Sequence, residues 1–305
     1  MKKPNFFIVG APKCGTTALY TYLASHRNIF LPELKEPHFF SDDLPNMRAI
    51  DSEEAYLSLF NGTTDEHIAV GEGSVMYLYS QVAIKRIHEF NPDARLIVML
   101  RNPFEMIHSF HSQLCYGFQE TEKNLARAWS LQESRRNGMN LPARPTDLSL
   151  LQYKAVGELG RQVEALLNYF PAEQVKLILF DDLKASPASV YEEALAFLGV
   201  PSDGRTDFPR VNSNRVNRSP FLAQLLIALL NLQRKIKRLI GLGPNSNKTV
   251  LRYFNILSCL RKLNTNVKPR SSPPEALRQQ ILGEFRSDIE RLSVILGKDL
   301  SHWLK

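Results

Sequence analysis

The chain has 305 residues, 44% of them hydrophobic, with 38 Lys+Arg against 31 Asp+Glu and a formal charge of +7. That length supports a full hydrophobic core, and the modest basic excess suits an anionic ligand. Cys14, Cys115 and Cys259, odd in number and widely spaced, suggest no disulfide framework or zinc site and fit a reducing compartment; with no helix-turn-helix, zinc-finger or aromatic-rich RNA signature, nucleic acid is not an expected partner.

The first element is an apolar strand at about 5–10. It runs into Ala11-Pro12-Lys13-Cys14-Gly15-Thr16-Thr17 and then a helix. Strand, glycine-bounded loop and helix make an anion cradle, because N–H groups at a helix start lack intrahelical partners and carry partial positive charge. Gly15 lets the backbone approach a ligand, Thr16 and Thr17 add hydroxyls, and Lys13 adds a point charge. The spelling departs from a Walker A loop, G-x-x-x-x-G-K-[ST]: Thr16 stands where the lysine belongs, and the loop's lysine is Lys13. Cys14 reads as a structural loop residue or, beside cations, as a reactive thiol.

Leu34-Lys35-Glu36-Pro37-His38-Phe39-Phe40 follows and supplies two bases, Glu36 and His38. The alternatives for them are a surface charge paired with Lys35 or Arg27, and a half-buried packing histidine. A strand at about 67–71 precedes Glu72-Gly73-Ser74, read as bordering a cleft. The next strand, at about 95–101, ends in Arg101-Asn102-Pro103, where Asn102 suits the N-cap and Pro103 the first helical position; Ser109 lies about two turns in. An ATPase needs a strand-end carboxylate to hold its metal, whereas Arg101 repels a metal and attracts a phosphate.

A helix is expected from Gly157 to Tyr169, with Leu159, Val163, Leu166 and Leu167 on one side, then a strand at about 175–180. Asp181 and Asp182 at its end read as local caps rather than a metal site. The apolar run 221–232, followed by the basic Arg234–Arg238, is too short to span a bilayer. It reads as a buried helix with a basic C-terminal end, with membrane-surface contact through 221–238 as the alternative. Asn264 to Pro274 reads as a basic, proline-rich loop.

Strands alternating with helices define an α/β class, a parallel sheet with helices on both faces and ligands at the strand C-termini, where the loop 10–17, Glu72 and Arg101 all fall. One domain over 1–305 is expected, with a helical insertion or lobe at about 215–262. Loop residues beginning at position 10 leave no segment for a signal peptide or anchor, so a cytoplasmic location is expected.

Pro12-Lys13-Cys14-Gly15-Thr16-Thr17, taken with Arg101 and Ser109, resembles the 5′-phosphosulfate loop and 3′-phosphate motif of sulfotransferases that use 3′-phosphoadenosine 5′-phosphosulfate (PAPS). The 34–40 stretch resembles that of heparan-sulfate-type glycan sulfotransferases. The resemblance implies a P-loop-NTPase-like fold and donor contacts from Pro12, Lys13, Cys14, Gly15, Thr16, Thr17, Arg101 and Ser109. It implies Lys13 as the cation at the leaving group and Glu36 as the base. His38 is the alternative base, since the small-molecule branch uses a histidine. It also implies that Lys268 and Arg270 close over the donor, although the family's glycine between the two basic residues is missing here. The implied reaction is metal-free sulfuryl transfer from PAPS to a hydroxyl or amine of a small-molecule or glycan acceptor, releasing adenosine 3′,5′-bisphosphate. The rivals are a P-loop kinase or NTPase and a catalytically silent nucleotide-binding protein.

Overall fold

The computed structural model describes residues 2–142, 147–209, 211, 215–226, 228–229, 263–268, 270 and 272–305. Five strands, β1 (Phe6–Gly10), β2 (Ile29–Phe30), β3 (Ala69–Gly73), β4 (Arg95–Leu100) and β5 (Val175–Leu179), form one sheet in the order β2-β3-β1-β4-β5. Every pairing in it is parallel. Phe6, Phe7, Ile8 and Val9 are all fully buried. Successive strand side chains point to opposite faces, so both faces of the sheet are covered. The four strands legible in the sequence are present. β2 has two residues at a sheet edge, too few to show an alternation. Gly71 is required where β3 crosses β1, because a Cβ there would meet the Phe6 ring and carbonyl at 2.5 Å.

The order places a switch point at β1. The chain leaves β1 through α1 (Thr16–Ala24) to pair β3 on one side, and β4 then joins on the other. A crevice therefore opens at the C-terminal end of β1, between the loops after β1 and β4. The Ala11 N–H donates to the Met99 carbonyl at 2.7 Å and holds the two loops in step.

Three further helices follow, α2 (Glu53–Ser58), α3 (Ala83–Phe90) and α4 (Pro103–Tyr116). As the sequence suggests, α4 begins at Pro103, and the Asn102 side chain accepts from Phe104 N and Glu105 N. The helix expected over 157–169 is instead two, Tyr153–Gly157 and Leu159–Leu167, broken at Glu158. The start of the second is capped from far along the chain. Buried Asp288, on the C-terminal helix Glu275–Leu296, accepts from Gly160 N and Arg161 N at 2.8 Å each.

Asp181 and Asp182 are not local caps. Asp181 accepts from the Trp303 indole at 3.0 Å, and Asp182 pairs with Lys298 at 3.2 Å. They tie the end of β5 to the C-terminus. Trp303 is buried, and its carbonyl accepts from Asn102 Nδ2 at 2.8 Å, so the chain's end also braces the α4 cap.

The 264–274 segment is only partly a loop: Thr265–Val267 forms an antiparallel ribbon with Arg215–Asn217. The basic run 234–238 and most of the expected lobe at 215–262 lie outside the described residues. In the helical stretch that precedes them, Ala223 and Leu226 are buried while Phe221, Leu222, Leu225 and Leu229 are exposed, so that stretch is two-faced rather than buried. Among the described residues, no helix is long and apolar enough to cross a membrane.

Candidate active site

The site is built from three strand ends. After β1, Gly15 takes φ +90° and precedes the first turn of α1; a Cβ on it would meet Leu183 Cδ2 and Phe180 Cδ2 at 2.9 Å, so only glycine fits. Thr16 is buried and Thr17 half-buried at the helix start. The Lys13 ammonium donates to Gln113 Oε1 on α4 at 2.8 Å. Cys14 is buried and donates to the Pro12 carbonyl at 3.4 Å; burial pushes its thiol up to about 12. The reactive-thiol reading is therefore overturned, because a neutral, buried thiol is inert.

After β4, Arg101 reaches back across the crevice. Its Nη1 donates to the Lys13 carbonyl at 3.2 Å, its Nη2 donates to Glu105 Oε2 at 3.0 Å, and its guanidinium lies 4.6 Å from the Phe180 ring centroid. Ser109 is buried two turns into α4, and its hydroxyl has no partner among the described residues. The ribbon brings in a third cation. Asn217 Nδ2 donates to the Tyr116 carbonyl at 3.0 Å, and the Tyr116 and Thr265 hydroxyls are hydrogen-bonded at 2.8 Å, which docks the ribbon on the end of α4. Beyond it, half-buried Arg270 faces Lys13, Arg101, Glu105 and His108, while Lys268 is exposed.

Burial, then the positive charge of Arg270, and also Arg101 and Lys35, push the Lys13 ammonium down to about 8, against an opposing pull from Glu36. Burial and the neighbouring Arg101 lower Arg270 as well. Half-buried cations packed side by side, each costly to keep charged, suit an anion between them.

Across the crevice, the 36–38 turn is held in the left-handed region, with φ +62° at Glu36 and +51° at His38. The Glu36 side chain is 35% exposed and pairs with Lys35 at 2.6 Å. Lys35 also donates to Thr17 Oγ1 at 3.2 Å and so joins the acidic side of the crevice to the β1 loop. His38 is buried, 4.0 Å from Glu36, and burial pulls its imidazole down to about 4. It is neutral at pH 7 and reaches no solvent. Glu72 does not border the cleft; it lies within β3, fully buried. Sequence reasoning did not single out Gln113, Phe180 or Lys35 as site residues. Gln113 alone had a signal, at i+4 from Ser109 on the same face of α4.

Fold and site define a nucleotide-type anion crevice on a parallel α/β sheet. The sulfotransferase domain family matches residues 3–242, and the chain belongs to that family. It is 31% identical over 208 residues to human "Bifunctional heparan sulfate N-deacetylase/N-sulfotransferase 3", covering 65% of this chain and 22% of that protein. It is 29% identical over 202 residues to mouse "Heparan sulfate glucosamine 3-O-sulfotransferase 6", covering 65% of this chain and 52% of that protein. The chain thus matches about a fifth of the first of these relatives and about half of the second. Among solved structures, the sulfotransferase from Alicyclobacillus acidocaldarius is 30% identical with a TM-score of 0.72, and the match covers all of both chains.

Proposed function

We propose that this chain is a PAPS-dependent sulfotransferase acting on a hydroxyl or amine of a glycan. One observation carries the reading. The Lys35 ammonium spans from the Thr17 hydroxyl of the cation-lined loop to the Glu36 carboxylate, at 3.2 and 2.6 Å. A base and an anion cradle therefore face each other across one side chain. The fit of the donor rests on the unpartnered, buried Ser109 hydroxyl and on Lys13, whose ammonium burial and the charge of Arg270 hold down.

Pro12 to Thr17 would hold the 5′-phosphosulfate, Arg101 and Ser109 the 3′-phosphate, and Arg270, with Lys268 outside it, the open side. When bound, PAPS supplies the sulfuryl group for in-line transfer and departs as adenosine 3′,5′-bisphosphate. Lys13, charged at pH 7, steadies the negative charge that builds on the leaving oxygen. Glu36 takes the acceptor's proton, because it is the reachable base; buried, neutral His38 orients beside it rather than touching the acceptor. The glycan class rests on the names of the relatives above together with the Lys35-Glu36-Pro37-His38 stretch.

The test is transfer from labelled PAPS to heparan sulfate without added metal. Glu36→Gln is expected to lower kcat by roughly 100- to 10,000-fold while leaving adenosine 3′,5′-bisphosphate affinity near wild type. Equal loss of nucleotide affinity would make Glu36 structural. Magnesium-dependent ATP turnover with indifference to the bisphosphate would overturn the reading.

A further inference from the structure

The 36–40 turn is held in an unusual way. Two of its residues, Glu36 and His38, sit in the left-handed region without being glycine, so something outside the turn must hold them there. Its alternate N–H groups all point to one short stretch at the end of β3. Glu36 N donates to the Gly73 carbonyl at 3.1 Å, His38 N to Ser74 Oγ at 3.0 Å, and Phe40 N to the Tyr77 hydroxyl at 3.4 Å. Behind them, Ser74 Oγ donates to Glu72 Oε2 at 2.8 Å, and the Tyr77 hydroxyl lies against the same carboxylate.

A hydroxyl has one proton and two lone pairs. With its proton committed to Glu72, the Ser74 hydroxyl turns a lone pair toward the His38 N–H, and the Tyr77 hydroxyl, beside the same carboxylate, accepts from the Phe40 N–H. A carboxylate buried this deeply is costly unless it organises its neighbours. We propose that Glu72, Ser74 and Tyr77 are positioning residues, a buried hydroxyl cradle that fixes the left-handed turn and so aims the Glu36 carboxylate at the acceptor. The inference rests on the reading of Glu36 as the base. Glu72 is out of reach of any substrate and acts only through the two hydroxyls.

The cradle needs Glu72 ionised. Burial raises its carboxyl to about 7, against the Ser74 hydrogen bond and the neighbouring Tyr77 and Tyr56 hydroxyls, with the Glu36 charge adding to the rise. The sign follows: the cradle is intact above about pH 7 and loosens as pH falls through it.

The experiment compares Ser74→Ala, Ser74→Thr, Tyr77→Phe and Glu72→Gln in the full chain. It reads kcat and KM for transfer from PAPS to heparan sulfate, affinity for adenosine 3′,5′-bisphosphate, and amide hydrogen exchange at His38 and Phe40. Ser74→Ala and Glu72→Gln are expected to lower kcat at least tenfold with nucleotide affinity within about twofold. Ser74→Thr, which keeps the hydroxyl, should restore most of it. Exchange should quicken at His38 in Ser74→Ala and at Phe40 in Tyr77→Phe, and the acid limb near pH 7 should disappear in Glu72→Gln. Unchanged exchange at His38 in Ser74→Ala overturns the cradle, as does a loss of kcat that tracks nucleotide affinity. If Glu72→Gln fails to fold, the Ser74→Ala and Ser74→Thr pair decides. A wild-type protein that transfers nothing defeats the functional reading instead, and the exchange rates then judge the cradle on their own.

Discussion

Lys13 carries the clearest consequence of the site's electrostatics. Its ammonium, held at about 8 by burial and by Arg270, Arg101 and Lys35, loses its proton as pH rises through that value. A neutral amine offers an anion no charge. Affinity for adenosine 3′,5′-bisphosphate is therefore expected to be level near pH 7 and to fall above about 8, in the limit tenfold per pH unit. Calorimetric titration from pH 7 to 9.5 measures this, and Lys13→Arg should flatten the fall because a guanidinium stays charged. A flat wild-type profile would mean that Lys13 does not face the bound anion. At this scale the sequence was most informative where chemistry is local. Gly15, Lys13 and Arg101 stand out from their neighbours, and the structure draws Lys13 and Arg101 together at 3.2 Å. Lys35 was legible only as a neighbour of Glu36, and nothing in the spacing shows that it also reaches Thr17.

Among the elements, the strand-to-helix junctions are written locally and the junctions between helices are not. Asn102 and Pro103 announce α4, because capping and a preset φ act within one turn. The break at Glu158 has no such mark. The Leu159–Leu167 helix starts there because Asp288, on a helix more than a hundred residues later, receives its first N–H groups. Asp288→Ala removes that cap and is expected to cost about 1–2 kcal/mol of stability, read as a lower denaturation midpoint in urea with an unchanged m-value. A midpoint equal to wild type would show that the helix start is held by packing alone. The ribbon is a similar case. Thr265–Val267 looks like loop in a polar, proline-rich context, and becomes strand because Arg215–Asn217 lies beside it. That pairing delivers Arg270 to Lys13.

Across the whole molecule, the C-terminus holds the donor side of the crevice together. Trp303 is buried, donates its indole N–H to Asp181 at the end of β5, and lends its carbonyl to Asn102 at the end of β4. Trp303→Ala is expected to cost about 3–5 kcal/mol and to lower Tm by on the order of 10 °C, since a large buried ring is replaced by a cavity. It should also weaken adenosine 3′,5′-bisphosphate binding, because Arg101 immediately precedes Asn102, the residue that Trp303 tethers. A variant with wild-type melting and wild-type affinity would remove the C-terminus from the site.

The parallel α/β class, the glycine-bounded loop at the end of the first strand and the arginine at the end of another were all legible in local sequence. Those features depend on alternation, glycine placement and capping, all of which act over a few residues. The burial of Glu72 behind the acidic turn, of His38 and of Cys14 emerged only from the tertiary packing. That packing also decided that Asp181 and Asp182 are braces. Each of these is a matter of burial or of a partner far along the chain, and neither leaves a mark in local spacing. The cations gather around the ends of β1 and β4, and the 36–38 turn is held where β3 ends.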